Sequence, residues 1–217
     1  MKADRRLIIS LLGDLVISLD GQVLDVGGRR QRAVLAILVV DRGDVVSAER
    51  LIDSVWGELA PSNAIGTLQA YVSHLRRQLE PGREARSRGN VIVSKGAGYT
   101  LQVDDDAVDA WRFDQLVRSA GRHDATDAAA TLTEALELWR GPALVEYATQ
   151  AWAQPEVVRL TELRQLAREQ LVSARLDLGE AASLVPESEG LVAEEPLREE
   201  RWRLLADGAG GLRAQPP

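Results

Sequence analysis

Apolar and polar positions alternate through residues 7–24, LIISLLGDLVISLDGQVL, with breaks at Gly13-Asp14 and Asp20-Gly21. A period of two sends alternate side chains to opposite faces, and Asp-Gly between β-branched runs favours a two-residue hairpin turn. A small antiparallel sheet is expected first. The period then lengthens. RRQRAVLAILVVDRG (29–43) reads as a mostly buried helix stopped at Gly43, and VSAERLIDSVWG (46–57) as a second helix capped by Ser47 and ended by Gly57. APSNAIGTLQAYVSHLRRQLEPG (60–82) gives a third, over about 63–80, with Ser62 or Asn63 as cap and Pro81-Gly82 as terminator. VIVSKGAGYTLQV (91–103) is a pair of alternating strands turning at Lys95-Gly96-Ala97-Gly98. Sheet, three helices and hairpin are the order of a winged helix-turn-helix with an N-terminal sheet and a C-terminal wing.

Beyond residue 103 the period stays helical, with segments at 110–121, 125–139, 155–178 and 180–194. Such short amphipathic segments predict helical hairpins rather than a sheet. The chain divides accordingly into 1–103, 104–207 and a tail at 208–217, whose glycines, alanines and prolines are expected to be irregular.

Composition narrows the chemistry. The chain has 217 residues, 45% hydrophobic and 27% charged, enough for one large domain or two smaller ones. It contains no cysteine, which removes disulfides, thiolate metal sites and thiol nucleophiles and fits a reducing cytoplasm. The longest apolar run, AVLAILVV at 33–40, falls short of the roughly 20 residues of a membrane helix, and the opening segment lacks a small-residue cleavage site. Neither a membrane span nor a signal peptide is expected. His74 and His123 stand far apart with no ligand spacing around them, and GGRRQR at 27–32 lacks the lysine and hydroxyl of a phosphate-cradling loop. The acidic DDDAVD at 104–109 reads as a connector leading into a helix. No enzyme, cofactor or metal site is indicated.

Net charge is −7, but unevenly divided. Residues 1–103 hold 14 Lys or Arg against 11 Asp or Glu, whereas 104–217 hold 12 against 22. Within 61–99, Arg76, Arg77, Arg83, Arg86, Arg88 and Lys95 face only Glu80 and Glu84. Local potential governs polyanion binding more than whole-chain charge does. On the third helix, Leu68, Val72, Leu75 and Leu79 form a core stripe. Opposite it lie Gly66, Ala70, Ser73 and Arg77, with Thr67 and His74 on one flank and Gln69 and Arg76 on the other. Small residues there would let a groove approach closely, and Ser73, His74 and Arg77 could reach base edges or phosphates. The same face would equally serve as solvated surface.

The combination of WG at 56–57, TLQAYVSHLRRQLEPG and GAGYTL resembles the OmpR-type winged helix of the Streptomyces antibiotic regulatory protein (SARP) family. WRFDQLVRSA, ALELWRGPALVEY and RLTELRQLAREQLVSARLDLGE resemble the bacterial transcriptional activation domain that follows it there. The resemblance runs from about residue 7 to 205. It implies an α+β winged helix followed by an all-α, tetratricopeptide-like domain, in a regulator that binds double-stranded DNA and recruits RNA polymerase at promoters with direct repeats. By the same resemblance the third helix is the recognition helix. Its DNA-facing positions are then Gly66, Thr67, Gln69, Ala70, Ser73, His74, Arg76 and Arg77, with Lys95 in the wing, Tyr99 either anchoring the hairpin or meeting phosphate, and Trp56 at the end of the second helix either touching phosphate or packing at the core edge. Arginine is common in the family where Ser73 and His74 stand here, which implies readout more through shape and close approach.

Family members continue past PLRE in further helix pairs, so the second domain reads as truncated. Leu197, Trp202, Leu204 and Leu205 are then expected to lack their usual cover, so that either the chain closes differently or it pairs with a second copy. Two other functions fit the same sequence: a DNA-binding repressor or competitor whose shortened second domain is inactive, and a helical scaffold for protein contacts.

Overall fold

The computed structural model describes residues 6–82 and 89–214. Arg83, Arg86 and Arg88, part of the basic excess, lie outside them, as do residues 215–217. Strands β1 (Leu7–Ser10), β2 (Val16–Leu19) and β3 (Gln22–Val23) form an antiparallel sheet in that order, with Leu7 opposite Leu19 and Ser10 opposite Val16. Between β2 and β3, Asp20 and Gly21 take φ of 54° and 81°. Two consecutive positive values mark the hairpin turn that Asp-Gly favours. Helix α1 (Arg29–Val40) buries every residue from Ala33 to Val39, as expected of a helix that is apolar all round. Helix α2 (Ala48–Trp56) starts where Ser47 Oγ accepts the Arg50 N–H at 3.1 Å. Helix α3 (Ala64–Leu79) buries its stripe of Leu68, Val72, Leu75 and Leu79 against α1 and α2. A second sheet follows, in which β4 (Val46–Ser47), β5 (Ile92–Lys95) and β6 (Gly98–Leu101) are ordered β4-β6-β5. Lys95 pairs with Gly98 across the wing turn.

The remaining helices are α4 (Asp109–Ala120), α5 (Ala125–Glu137), α6 (Gln154–Asp177), α7 (Ala181–Glu194) and α8 (Glu199–Ala214). Packing divides the described residues into two compact units that interleave along the chain. One comprises the described residues of 6–112 with Arg140–Arg159, the other Phe113–Trp139 with those of 160–214. The interleaving has a polar cause. Leu11 and Leu12 lie buried in the loop between β1 and β2, where no strand partner serves their backbone. Asp109 takes both their N–H groups, at 2.7 and 3.1 Å, while Leu11 O and Leu12 O accept from the N–H groups of Leu144 and Arg140 at 2.8 and 2.7 Å. Arg140 in turn donates to the Asp109 carboxylate at 3.1 Å. Burial pushes that carboxyl above its ordinary range, against the pull of these donors.

The second unit is all-helical and tetratricopeptide-like. Phe113 meets Trp139 edge-on at 5.4 Å, and Val172, Leu191 and Leu204 form a core shared by α6, α7 and α8. One charged group is enclosed there. The Arg201 guanidinium, 0% exposed, donates to Glu169 Oε1 at 2.8 Å, Gln165 Oε1 at 2.9 Å and Leu191 O at 2.6 Å.

Residues 208–214 correct the sequence reading of an irregular tail: α8 carries through them to Ala214. Its glycines weaken intrinsic helix propensity, but Gly208 is buried where a side chain would stand only 3.7 Å from Leu176 and Val185. Close packing on α6 and α7 thus outweighs propensity. The expectation of bare apolar surface divides: Leu204 is fully buried, whereas Leu197 and Trp202 are 96% and 53% exposed.

Candidate nucleic-acid interface

Helix α3 is positioned by its cap. Asn63 Oδ1 accepts the Gly66 N–H at 3.1 Å, and the Thr67 hydroxyl donates to Asn63 O at 3.0 Å. A Cβ on Gly66 would lie 2.5 to 2.9 Å from the Asn63 side-chain atoms. Gly66 is therefore explained by the folded-over Asn63, and it and Thr67 are both half-buried. One turn further on, Gln69, Ala70, Ser73 and Arg77 are exposed. The side chains of Gln69, Ser73 and Arg77 make no hydrogen bond or ion pair among the described residues. His74 is half-buried, with an Nε2 that finds no hydrogen-bond partner among the described residues.

Three of the candidate residues make contacts within the fold. Arg76 donates from Nε to Ile92 O at 2.8 Å and from a terminal nitrogen to Ser94 Oγ at 2.9 Å, with its guanidinium 5.9 Å from the Tyr99 ring centre. It fastens α3 to the wing, and Tyr99 is the ring beneath that fastening. Trp56 is 6% exposed and stacks on Tyr71 with ring centres 5.6 Å apart. Its indole belongs to the packing between α2 and α3, the core-edge role that the sequence also allowed. Glu80, just past α3, accepts the N–H groups of Asn90 and Val91 at 2.8 and 2.6 Å and fixes where β5 begins. At the wing tip Lys95 is exposed. The result is a small, polar and cationic helix face beside a cation-tipped hairpin, rigidly joined through Arg76. Its polar and cationic side chains are of the donor types that contact base edges and phosphates.

The sequence reading missed the support that residues 140–159 give to α1. Arg32 donates from Nε to Glu146 Oε2 at 3.1 Å and from a terminal nitrogen to Glu146 Oε1 and Leu15 O. The Glu146 hydrogen bond holds the Arg32 guanidinium above its ordinary pKa. Tyr147 donates its hydroxyl to Arg29 O at 2.9 Å, and burial pushes that phenol up to about 12. The stretch GPALVEY contains these residues, but helical periodicity has no way to name their partners.

Two family models match the chain: "Transcriptional regulatory protein, C terminal" over residues 25–101 and "Bacterial transcriptional activator domain" over 108–209. The chain is 34% identical over 207 residues to the transcriptional regulatory protein EmbR of Mycobacterium tuberculosis, covering 93% of this chain and 53% of that one. It is also 34% identical over 201 residues to the regulatory protein DnrI of Streptomyces peucetius, covering 89% of this chain and 74% of DnrI. The regulatory protein AfsR of Streptomyces coelicolor is 37% identical over 202 residues, 19% of its own length. A solved structure of M. tuberculosis EmbR, in complex with a low-affinity phosphopeptide, superposes with a TM-score of 0.83 at 32% identity, over 97% of this chain and 59% of that one. The chain thus spans about half the length of EmbR. With DnrI matched over three-quarters of its length and both domain models in the family's order, the chain belongs to the Streptomyces antibiotic regulatory protein family.

Proposed function

We propose that this chain binds duplex DNA and activates transcription, with α3 in the major groove and the β5–β6 wing on the adjacent backbone. It works by binding, without a catalytic step, in the cytoplasm. The observation that carries this reading is the exposed set Gln69, Ala70, Ser73 and Arg77 on α3, joined through Arg76 to a wing tipped by Lys95. Family membership supports it, since the relatives are named regulators and the second family model is that of an activator domain. No helix among the described residues is long and apolar enough to cross a membrane. The basic excess before residue 104 belongs to DNA contact, and the acidic helical unit is the surface for RNA polymerase or for a second copy on a direct repeat.

The test pairs occupancy with output. Genome-wide mapping of bound DNA is expected to return one repeated motif upstream of promoters, and a reporter from such a promoter is expected to rise when the protein is expressed. Confirmed occupancy with an unchanged or falling reporter would replace activator by repressor. Arg77→Ala and Lys95→Ala are expected to weaken binding while leaving the melting temperature in place, and unchanged affinity in both would refute this docking mode.

A further inference from the structure

The GGRRQR stretch at 27–32 plays no part in the interface described above. It opens α1, and its three arginines have different fates. Arg32 is consumed by Glu146 and Leu15 O. Arg29 is steadied from one terminal nitrogen, which donates to Glu146 O at 3.0 Å, with its guanidinium 5.9 Å from the Tyr147 ring centre. The side chain of Arg30 makes no hydrogen bond or ion pair among the described residues. Both Arg29 and Arg30 are exposed, and no acid stands in that turn to neutralise them.

The two arginines line a recess of about 530 Å³ together with Ser54 of α2, Tyr71 of α3, Gln150 and Trp152. Tyr71 ties this recess to the recognition helix. At 100° per residue, Tyr71 and Arg76 stand on opposite sides of the Leu68, Val72, Leu75 and Leu79 stripe. A helix seated in a major groove about 12 Å wide has a phosphate strand along each flank. The Arg76 flank carries the wing and Lys95; the Tyr71 flank carries the recess and its arginines.

We infer that this recess is a second phosphate-binding site, in which Arg30, aided by Arg29, grips the DNA strand bordering the groove on the Tyr71 side. The chemistry suits a phosphodiester: one guanidinium held in place, one free to follow the backbone, and the Ser54 and Tyr71 hydroxyls as neutral donors. DNA would then be held from both flanks of α3, and Glu146 and Tyr147 act as positioning residues for Arg29. The inference rests on α3 entering the major groove.

The test is fluorescence anisotropy with the full chain and an end-labelled, mixed-sequence duplex, read across a salt series for wild type, Arg30→Ala, Arg30→Glu and Arg30→Lys. Each lost phosphate contact is expected to make the slope of log K against log salt shallower by about 0.9. Arg30→Ala should bind several-fold more weakly with that shallower slope and an unchanged melting temperature, Arg30→Glu more weakly still, and Arg30→Lys close to wild type. A wild-type chain with no salt-dependent binding would overturn the DNA-binding reading itself. Steep wild-type salt dependence with affinity and slope unchanged in Arg30→Ala and Arg30→Glu would overturn the second phosphate site alone.

Discussion

Gly66, Arg76 and Trp56 show how a partner decides what a residue does once periodicity has set its direction. All three stand on or near the helix face that the sequence assigns to DNA, yet Gly66 answers to Asn63, Arg76 to the wing and Trp56 to Tyr71. Gln69, Ala70, Ser73 and Arg77 were legible because exposure follows directly from the apolar stripe on the other side of α3, and Lys95 because it stands at a glycine turn between two strands. Side-chain reach across 16 or 18 residues of sequence was not, because nothing local records it. Arg76 provides the sharpest test of this difference. Arg76→Ala removes two charge-assisted hydrogen bonds from a half-buried site and should cost about 1–2 kcal/mol in urea unfolding. Arg76→Lys should not restore it, since an ammonium cannot span the Ile92 carbonyl and the Ser94 hydroxyl as the planar fork does. If instead stability stays intact while the DNA salt slope drops by one contact, Arg76 belongs to the DNA surface and not to the fold.

At the scale of elements, the helices of the winged region, its two hairpins and α4 to α7 were legible within a few residues, because each pairs a clear period with a cap or a breaker, whereas the two-residue β4, read as the start of a helix, is set only by its pairing with β6. Helix α8 was not. Read alone, residues 207–214 have too many glycines to hold a helix, and only the neighbouring helices make up the deficit. Arg201 is central to that packing, because it satisfies groups on α6 and α7 from a position on α8. Removing Arg201 leaves the buried Glu169 carboxylate with the longer contact to Arg198 at 3.3 Å and leaves Gln165 Oε1 and Leu191 O without this donor. Arg201→Ala should therefore destabilise the helical unit by about 3–5 kcal/mol. Arg203, two residues on, bonds to Glu200 and Asp207 at an exposed surface, and Arg203→Ala should shift the same transition little. Thermal unfolding followed by circular dichroism separates them, and equal shifts would mean that α8 is held by its apolar face alone.

For the molecule as a whole, the divided charge was readable from composition, but the interleaving of the two units was not. A cut at residue 103 looks natural in sequence, since the wing has just closed and DDDAVD follows. In the structure that cut strips the N-terminal sheet of essential partners. Val108 bridges to Ile9, Asp109 receives the N–H groups of Leu11 and Leu12, and the carbonyls of those two leucines are served by Leu144 and Arg140. Glu146 accepts from Leu15 N and engages Arg32, so α1 loses its anchor as well. A fragment ending at residue 103 would leave buried backbone groups unpaired beside Leu11, Leu12 and Leu15, each group costing about 1–3 kcal/mol. Several such losses consume most of the 5–15 kcal/mol that ordinarily holds a domain together. The fragment 1–103 should therefore give no cooperative melt, whereas the full chain unfolds cooperatively. If the fragment melts at the temperature of the intact N-terminal unit, these contacts are dispensable and the winged region folds by its own core. If it fails to fold, loss of DNA binding on deleting 104–217 cannot be assigned to lost activation surface, and the division of labour must be tested with point variants in the full chain.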